Sequence, residues 1–447
     1  MDNFSGALRL TDLNDFIGPS QECIKPVPVK KTNKRGVIRL DEDGVFTQNS
    51  IPLQKQTISL TDCLACSGCV TSAETVLIES QSVETLQKAR TVTHTSHVFV
   101  ATVSPQSISS IAHKLGLDFR TACDSLIKTL RSDGYQFVFS SVEGSEVCHQ
   151  LSAEELLNSG EMSLLDGSGS TLPGVKKPVL ASACPGWICY AEKTQGSEVL
   201  GHVSRIRSPQ SVMGSMVKKT VSERKGISWK DVYHVSVMPC FDKKLEASRP
   251  DFLSEETAEI DLVLSTSEAF ELWCSNITPA PDIDGTFDSV MSEGSFPIQT
   301  LSGGGSGGFA ERILHHVARR LHHTEPLELT FSRLRNKDLQ EAKVLIGGTE
   351  FRVAKAYGFR NIQNIMQKVK HGRCRYDYVE IMACPGGCLN GGGQIKLGDN
   401  AEIDSITSVY NSVSSGVLNS YRDVDPQLFL TSYRAVEKSA SALGSQW

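Results

Sequence analysis

Three segments far apart in the chain share one design: an apolar run ends in a cysteine set beside proline or glycine. Residues 179–187 carry Cys184, residues 235–243 carry Cys240, and residues 379–388 carry Cys384 and Cys388. Short apolar runs bounded by turn residues predict buried strands. Cysteines at the carboxyl ends of parallel strands fall on one side of a sheet, where α/β proteins place their ligands. Convergence of Cys184, Cys240, Cys384 and Cys388 follows. Four thiolates satisfy the all-cysteine preference of 4Fe-4S centres. Pro385 suits the first turn of a helix, and Gly386 and Gly387 permit close backbone approach. The competing interpretation is that these are buried cysteines serving as small apolar residues. That is the expectation for Cys123, Cys148, Cys189, Cys274 and Cys374, which lack partners in sequence.

Further apolar runs at 97–103, 135–139 and 261–264 alternate with helical patterns, so the body from residue 97 onward is expected to be α/β with mostly parallel strands. Gly- and Ser-rich stretches at 158–174 and 281–308 look like surface excursions. The run Gly303-Gly304-Gly305-Ser306-Gly307-Gly308 precedes a helix expected near Phe309 but lacks the Lys-Ser/Thr ending of a nucleotide P-loop, so it is expected to be a flexible loop or helix-leading turn.

Residues 1–95 form a separate, loop-rich module whose core is too small to fold unaided. It contains Cys63-Leu64-Ala65-Cys66-Ser67-Gly68-Cys69. A C-x2-C-x2-C run places three thiolates in one tight turn, each able to cap a different iron of a cube. In bacterial ferredoxins another cysteine follows three residues later; here that position is Ala73, and the only other cysteine in the module is Cys23. Tetrahedral zinc is the rival, although it usually takes two separated C-x2-C pairs.

The opening residues lack the basic and apolar regions of a signal peptide, and no apolar run is long enough to cross a bilayer, so the chain is expected in the cytosol or nucleus. Thirteen cysteines in a reducing compartment are then metal ligands or buried apolar residues rather than disulfides. A net charge of -6 without a long basic block gives no reason to expect nucleic-acid binding.

Residues 183–187, 238–243 and 380–394 together resemble the three signatures of iron-only hydrogenases, a resemblance that extends over roughly residues 97 to 410. It implies a two-lobed, mostly parallel α/β body at 96–410, between the N-terminal module at 1–95 and a C-terminal helical segment and tail at 411–447. Ser208-Pro209-Gln210 is also hydrogenase-like, and Lys243 and Gln210 stand where hydrogenases contact diatomic ligands of a diiron unit that Cys388 could bridge. The position of the terminal proton-donor cysteine is Ala183, and a methyl group cannot relay protons.

The N-terminal stretch, with Phe4-Ser5-Gly6-Ala7-Leu8 and residues 13–26 around Cys23, is similar to a narrower family, cytosolic iron-sulfur assembly component 3. That resemblance implies two 4Fe-4S clusters, one on Cys23, Cys63, Cys66 and Cys69 and one on Cys184, Cys240, Cys384 and Cys388. It implies a non-catalytic role in maturing cytosolic and nuclear iron-sulfur proteins, with an upstream P-loop NTPase scaffold and a downstream targeting complex containing a WD40 propeller as partners. The alternative is a hydrogenase or other redox enzyme. No nucleic-acid or membrane partner is expected. The C-terminal Trp447 is a candidate partner anchor.

His315-His316 and His322-His323, with Arg312, Arg319 and Arg320, are expected on a solvated helix face, because adjacent histidines do not share a face. Asp242, Glu246 and Glu380 sit beside the cysteines as hard carboxylates, better suited to supporting or surface contacts than to soft-metal ligation.

Overall fold

The computed structural model describes residues 38–40, 46–48, 51–52, 78–93, 97–159, 164–165, 171–172, 174–254, 257–275, 285–323, 327–395, 400–415 and 426–435. Cys23, Cys63, Cys66, Cys69 and Trp447 lie outside them.

In chain order, three short strands, β1 (Ile38–Leu40), β2 (Phe46–Gln48) and β3 (Ile51–Pro52), pair antiparallel. Helix α1 (Val83–Thr93) leads to β4 (Val98–Val103), α2 (Pro105–Leu115), α3 (Phe119–Ser132), β5 (Phe137–Ser140) and α4 (Ser141–Leu157). Then follow β6 (Val179–Ala181), α5 (Pro185–Thr194), α6 (Pro209–Lys225), β7 (Val232–Met238), α7 (Asp242–Ala247) and β8 (Leu262–Ser265). The main elements after these are β9 (Phe287–Asp288), β10 (Ser295–Phe296), α8 (Phe309–Arg320), β11 (Ser332–Arg333), β12 (Leu339–Ile346), β13 (Thr349–Tyr357), α9 (Phe359–Lys370), β14 (Tyr378–Met382) and α10 (Asn400–Asn411).

Local chemistry starts these elements where the cysteine segments need them. Ser104 caps α2 by accepting from Ser107 N, with Pro105 in the first turn and Gly116 closing the helix at φ 67. Ser208 and Pro209 start α6 in the same way.

Two sheets carry the body. The first runs β8-β7-β4-β5-β9-β10, parallel except for the last pair. The second runs β11-β12-β13-β14-β6, with its last three strands parallel. All six strands expected from apolar runs are present. Fully buried strands such as β7 and β14 read as continuous apolar runs because both faces are covered.

The β12–β13 hairpin is a departure from the expected parallel pattern. It pairs antiparallel from Leu339 opposite Ala356 to Ile346 opposite Thr349, and its one exposed face admits Lys343, Glu350 and Arg352.

One apolar core gathers Phe99, Ile111, Leu126, Val138 and Leu264 on the outer face of the first sheet. A larger one joins Trp187, Ile313, Val353 and Ile381 to Val100 and Phe139 on that sheet's opposite face. The two lobes therefore share a continuous interior. The last described helix ends at Asn411, at the start of the segment expected to be helical; residues 426–435 form an extended strap with one 3-10 turn at Pro426–Phe429. None of the helices among the described residues is long and apolar enough to cross a membrane.

Candidate metal centre

β14 and β6 are parallel neighbours with Glu380 beside Ala181, so Cys184 and Cys384 leave the second sheet at the same end. Ser182 ties the two exits together. Its hydroxyl donates to Ile381 O at 2.6 Å and accepts from Cys184 N at 3.0 Å. Cys184 is the N-cap position of α5, and Pro185 opens that helix.

Cys240 arrives from the other sheet, just past the end of β7 and before α7. Glycine brings it to the other cysteines. Gly393 N donates to Pro239 O at 2.9 Å. A methyl group on Gly391 would lie 2.3 Å from Pro239 O, and one on Gly393 would lie 3.0 Å from the Cys240 Cα. The loop carrying Cys384 and Cys388 therefore touches the loop carrying Cys240 backbone to backbone, a contact that any larger residue would open.

Cys388 is fixed by the glycine-rich run, which takes the second of its two expected forms, a helix-leading turn. Ser306 Oγ accepts from Cys388 N at 3.0 Å. Gly387, at φ 81, packs so tightly on Ser306 that a Cβ would come within 2.2 Å of its Oγ, and Leu389 fills the space over Gly305. The run is a packed helix-leading turn, and much of 285–308 is interior, with Ile298, Thr300, Leu301 and Ser306 buried.

No phosphate site exists at the N-terminus of α8, because the Glu380 carboxylate occupies it, accepting from Ala310 N at 2.8 Å and from Tyr357 OH at 2.7 Å. Glu380 thus supports the site rather than lying at the surface. Asp338, with no signal in sequence, accepts from Gly386 N at 2.8 Å.

The four thiols feel one another. Burial pushes all of them up, Cys184 to about 12, and neighbouring sulfurs add to the rise at Cys184, Cys240 and Cys384. Asp242, which lies against Gly186, raises the same three, whereas Lys243 opposes the rise at Cys240 and Cys388. Backbone groups of Ala383 and Trp187 bond to Cys184, and that of Gly392 to Cys384. Such contacts to ligand sulfurs tune a bound metal's electronics.

Left alone, buried thiols stay protonated at neutral pH; a metal inverts this, because the thiolate is the ligating form. Among the described residues no three of these sulfurs lie within 4.8 Å of one another. A single tetrahedral zinc, with bonds of about 2.3 Å, would draw its sulfurs to about 3.8 Å. A set made of thiols alone, with no imidazole or carboxylate, suits the soft chemistry of an iron-sulfur group.

Lys243 and Gln210 lie in a buried polar knot beside this set. Lys243 Nζ donates to Ser208 Oγ and to Glu246 Oε2, both at 2.9 Å, and Gln210 Nε2 donates to Lys243 O and Glu246 Oε1. Ala183 is half-buried against the larger core. Of the cysteines expected to be buried apolar residues, Cys123, Cys148 and Cys274 are buried, whereas Cys189, on α5, and Cys374, between α9 and β14, are only half-buried.

The expected solvated face at Arg312 to His316 is also corrected: Arg312 and His316 are buried, since α8 packs this face on α4.

Residues 97–392 match the family model described as iron only hydrogenase large subunit, C-terminal domain. Over 479 residues the chain is 43% identical to cytosolic iron-sulfur assembly component 3 of Pongo abelii, covering 99% of this chain and 99% of that one. It is 43% identical over 483 residues to the Mus musculus protein of the same description, with the same coverage of each. Among solved structures, a variant of the FeFe-hydrogenase HydA1 from Chlamydomonas reinhardtii superimposes with a TM-score of 0.66 at 26% identity, over 78% of this chain and 98% of that one.

Proposed function

Because the chain belongs to the cytosolic iron-sulfur assembly component 3 family, built on an iron-only hydrogenase-like body, we propose that it is a non-catalytic cytosolic iron-sulfur assembly factor that serves cytosolic and nuclear iron-sulfur proteins. In this reading it carries two 4Fe-4S clusters, one held by Cys23, Cys63, Cys66 and Cys69 and the other by Cys184, Cys240, Cys384 and Cys388. It acts as an adaptor between an upstream P-loop NTPase scaffold and the downstream targeting complex with its WD40 propeller. The observation that carries the reading is the meeting of four cysteines from three segments, with Gly391 and Gly393 in backbone contact with the Cys240 loop.

When bound, a cube supplies a covalent cross-link and an electron reservoir. The chain supplies the rest. Ser182 and Ser306 orient the loops of Cys184 and Cys388, the backbone at Gly392 bonds Cys384, and Lys243 offsets negative charge at Cys240 and Cys388. The two sheets meet at these loops, so ligation joins the lobes.

Ala183 favours the adaptor over hydrogen chemistry, because its methyl group has no proton to relay. The names of the relatives point the same way. The enzyme alternative predicts hydrogen evolution, together with carbonyl and cyanide infrared bands after maturation with hydrogenase maturases. Trp447 serves in this reading as an anchor for the targeting complex.

The test is anaerobic pull-down of the targeting complex by full-length protein, by a variant lacking Trp447 and by Cys384→Ala, with iron counted in each. The adaptor reading expects the Trp447 deletion to lose capture while keeping its iron. Equal capture by the deletion removes the anchor. Hydrogen evolution by the wild-type protein, accompanied by the infrared bands, overturns the non-catalytic role.

A further inference from the structure

Behind the glycine turn that packs Cys388, helices α4 and α8 enclose a second set of metal-ligating side chains. Glu146 and His149 lie three residues apart on α4, on one helix face, and His316 faces them from α8. One ligand atom from each, a carboxylate oxygen and two imidazole nitrogens, lies within 4.8 Å of the other two. All three are interior: Glu146 is 1% exposed, His149 0% and His316 7%.

His149 is the anomaly in this set. Neither of its ring nitrogens meets a partner at full hydrogen-bond geometry; the Gly307 backbone makes only a loose contact with the ring. Phe309 packs edge-on against it at 4.7 Å between ring centres. A wholly buried imidazole left with no well-formed hydrogen bond is rare in a folded protein and signals a missing water or ion.

The surroundings favour an ion. Arg312, wholly buried, pairs with the Glu146 carboxylate and donates to Ser302 Oγ at 3.2 Å. It leaves Glu146 Oε2 facing His316 Nε2 at 3.3 Å. A carboxylate held from behind by a donor, with its other oxygen turned toward two imidazoles, is how metal-ligating carboxylates are commonly supported.

We propose that Glu146, His149 and His316 hold a single zinc-class divalent ion, bound through one carboxylate oxygen and two imidazole nitrogens, with Arg312 fixing the carboxylate. Imidazole donors exclude the all-oxygen preference of calcium and magnesium, and the absence of thiolates from the set separates it from the iron-sulfur site. The ion pins α4 to α8 directly behind Gly307, and so supports the turn whose Ser306 bonds Cys388 N.

The experiment uses full-length protein with its clusters reconstituted anaerobically, so that the cluster cysteines are occupied, and with loosely held metal removed by dialysis against a mild chelator. Zinc and iron are counted together, and zinc X-ray absorption identifies the donor atoms. The expected result is about one zinc per chain with nitrogen and oxygen donors only, and its loss in His149→Leu and His316→Gln at unchanged iron content. Cobalt(II) substitution of the wild type, giving the absorption bands of a nitrogen- and oxygen-ligated site, keeps the test independent of whether either variant folds. Wild-type protein without stoichiometric zinc, zinc bound through sulfur, or zinc retained by His149→Leu each overturns the proposal.

Discussion

Replacing Gly391 with alanine isolates the contact that brings Cys240 to the other cysteines. The backbone at Gly391 needs no positive φ, so alanine adds no strain of its own; the cost is steric. Its Cβ would lie 2.3 Å from Pro239 O, whereas an ordinary contact needs about 3.4 Å, so the two loops must part by about 1 Å. Forcing one methyl group into such a contact costs about 1–3 kcal/mol. Gly391 N also donates to Cys388 O at 3.1 Å, so the displacement falls on the loop that presents Cys384 and Cys388.

Thiolate ligation tolerates little displacement, so Gly391→Ala is expected to keep the fold, lower Tm by a few degrees, and hold about half of the wild-type iron after anaerobic reconstitution. Gly392→Ala is the matched control, since a Cβ there meets nothing within 4 Å. Iron counting and thermal melting on the three proteins decide the matter. Wild-type iron and an unchanged Tm in Gly391→Ala would refute the claim that this backbone contact assembles the site.

Three further outcomes follow from the same geometry. Gln81, just ahead of α1, donates to Lys244 O at 2.8 Å and Ser248 Oγ at 2.7 Å in the segment after Cys240 and accepts from Val263 N of β8 at 3.0 Å; Gln81→Ala is expected to lose about 2–4 kcal/mol of local stability, seen as faster hydrogen exchange across residues 78–93. His234, buried between Thr102 Oγ1 and Glu259 O, has its pKa lowered by burial to about 3. It is neutral when folded and protonates near 6.5 when unfolded, so stability falls as pH drops from about 6.5 toward 3, by up to about 1.4 kcal/mol per pH unit. Urea melts of wild type and His234→Gln between pH 7 and about 5 should diverge by that slope. Glu380→Gln keeps the contact with Tyr357 but removes the charge at the α8 N-terminus; it is expected to cost about 1 kcal/mol, read as a lower urea midpoint.

Much of the body was legible because its central strands are buried on both faces and end at the cysteines. Residues 179–181 and 378–382 needed no long-range information to be recognised. The β12–β13 hairpin was hidden by its charged exposed face, with Lys343 and Arg352 where a buried strand would show apolar residues.

Composition left two readings open at the glycine run, a flexible loop or a helix-leading turn, and only packing decides between them. Glycine-rich sequence normally indicates freedom, but here Gly305 and Gly308 are closely packed, against Leu389 and the Ser302 backbone, and only those distant or folded-back positions reveal it. Arg312 and His316 look like a solvated face because their counter-charge, Glu146, comes from a helix 170 residues before His316. The spacing of Glu146 and His149 on one helix face was visible in the sequence, and its meaning depended on that packing. Nothing local marked Asp338 as a partner of Gly386.

The central claim is that two separate sets of four cysteines each hold a cluster. Its most direct test is iron per chain, counted with EPR under anaerobic conditions, in wild type, Cys63→Ala and Cys240→Ala. The account predicts about eight irons in wild type and about four in each variant, each variant losing a different EPR signal. Wild-type iron in Cys240→Ala, or loss of the same signal in both variants, would contradict it.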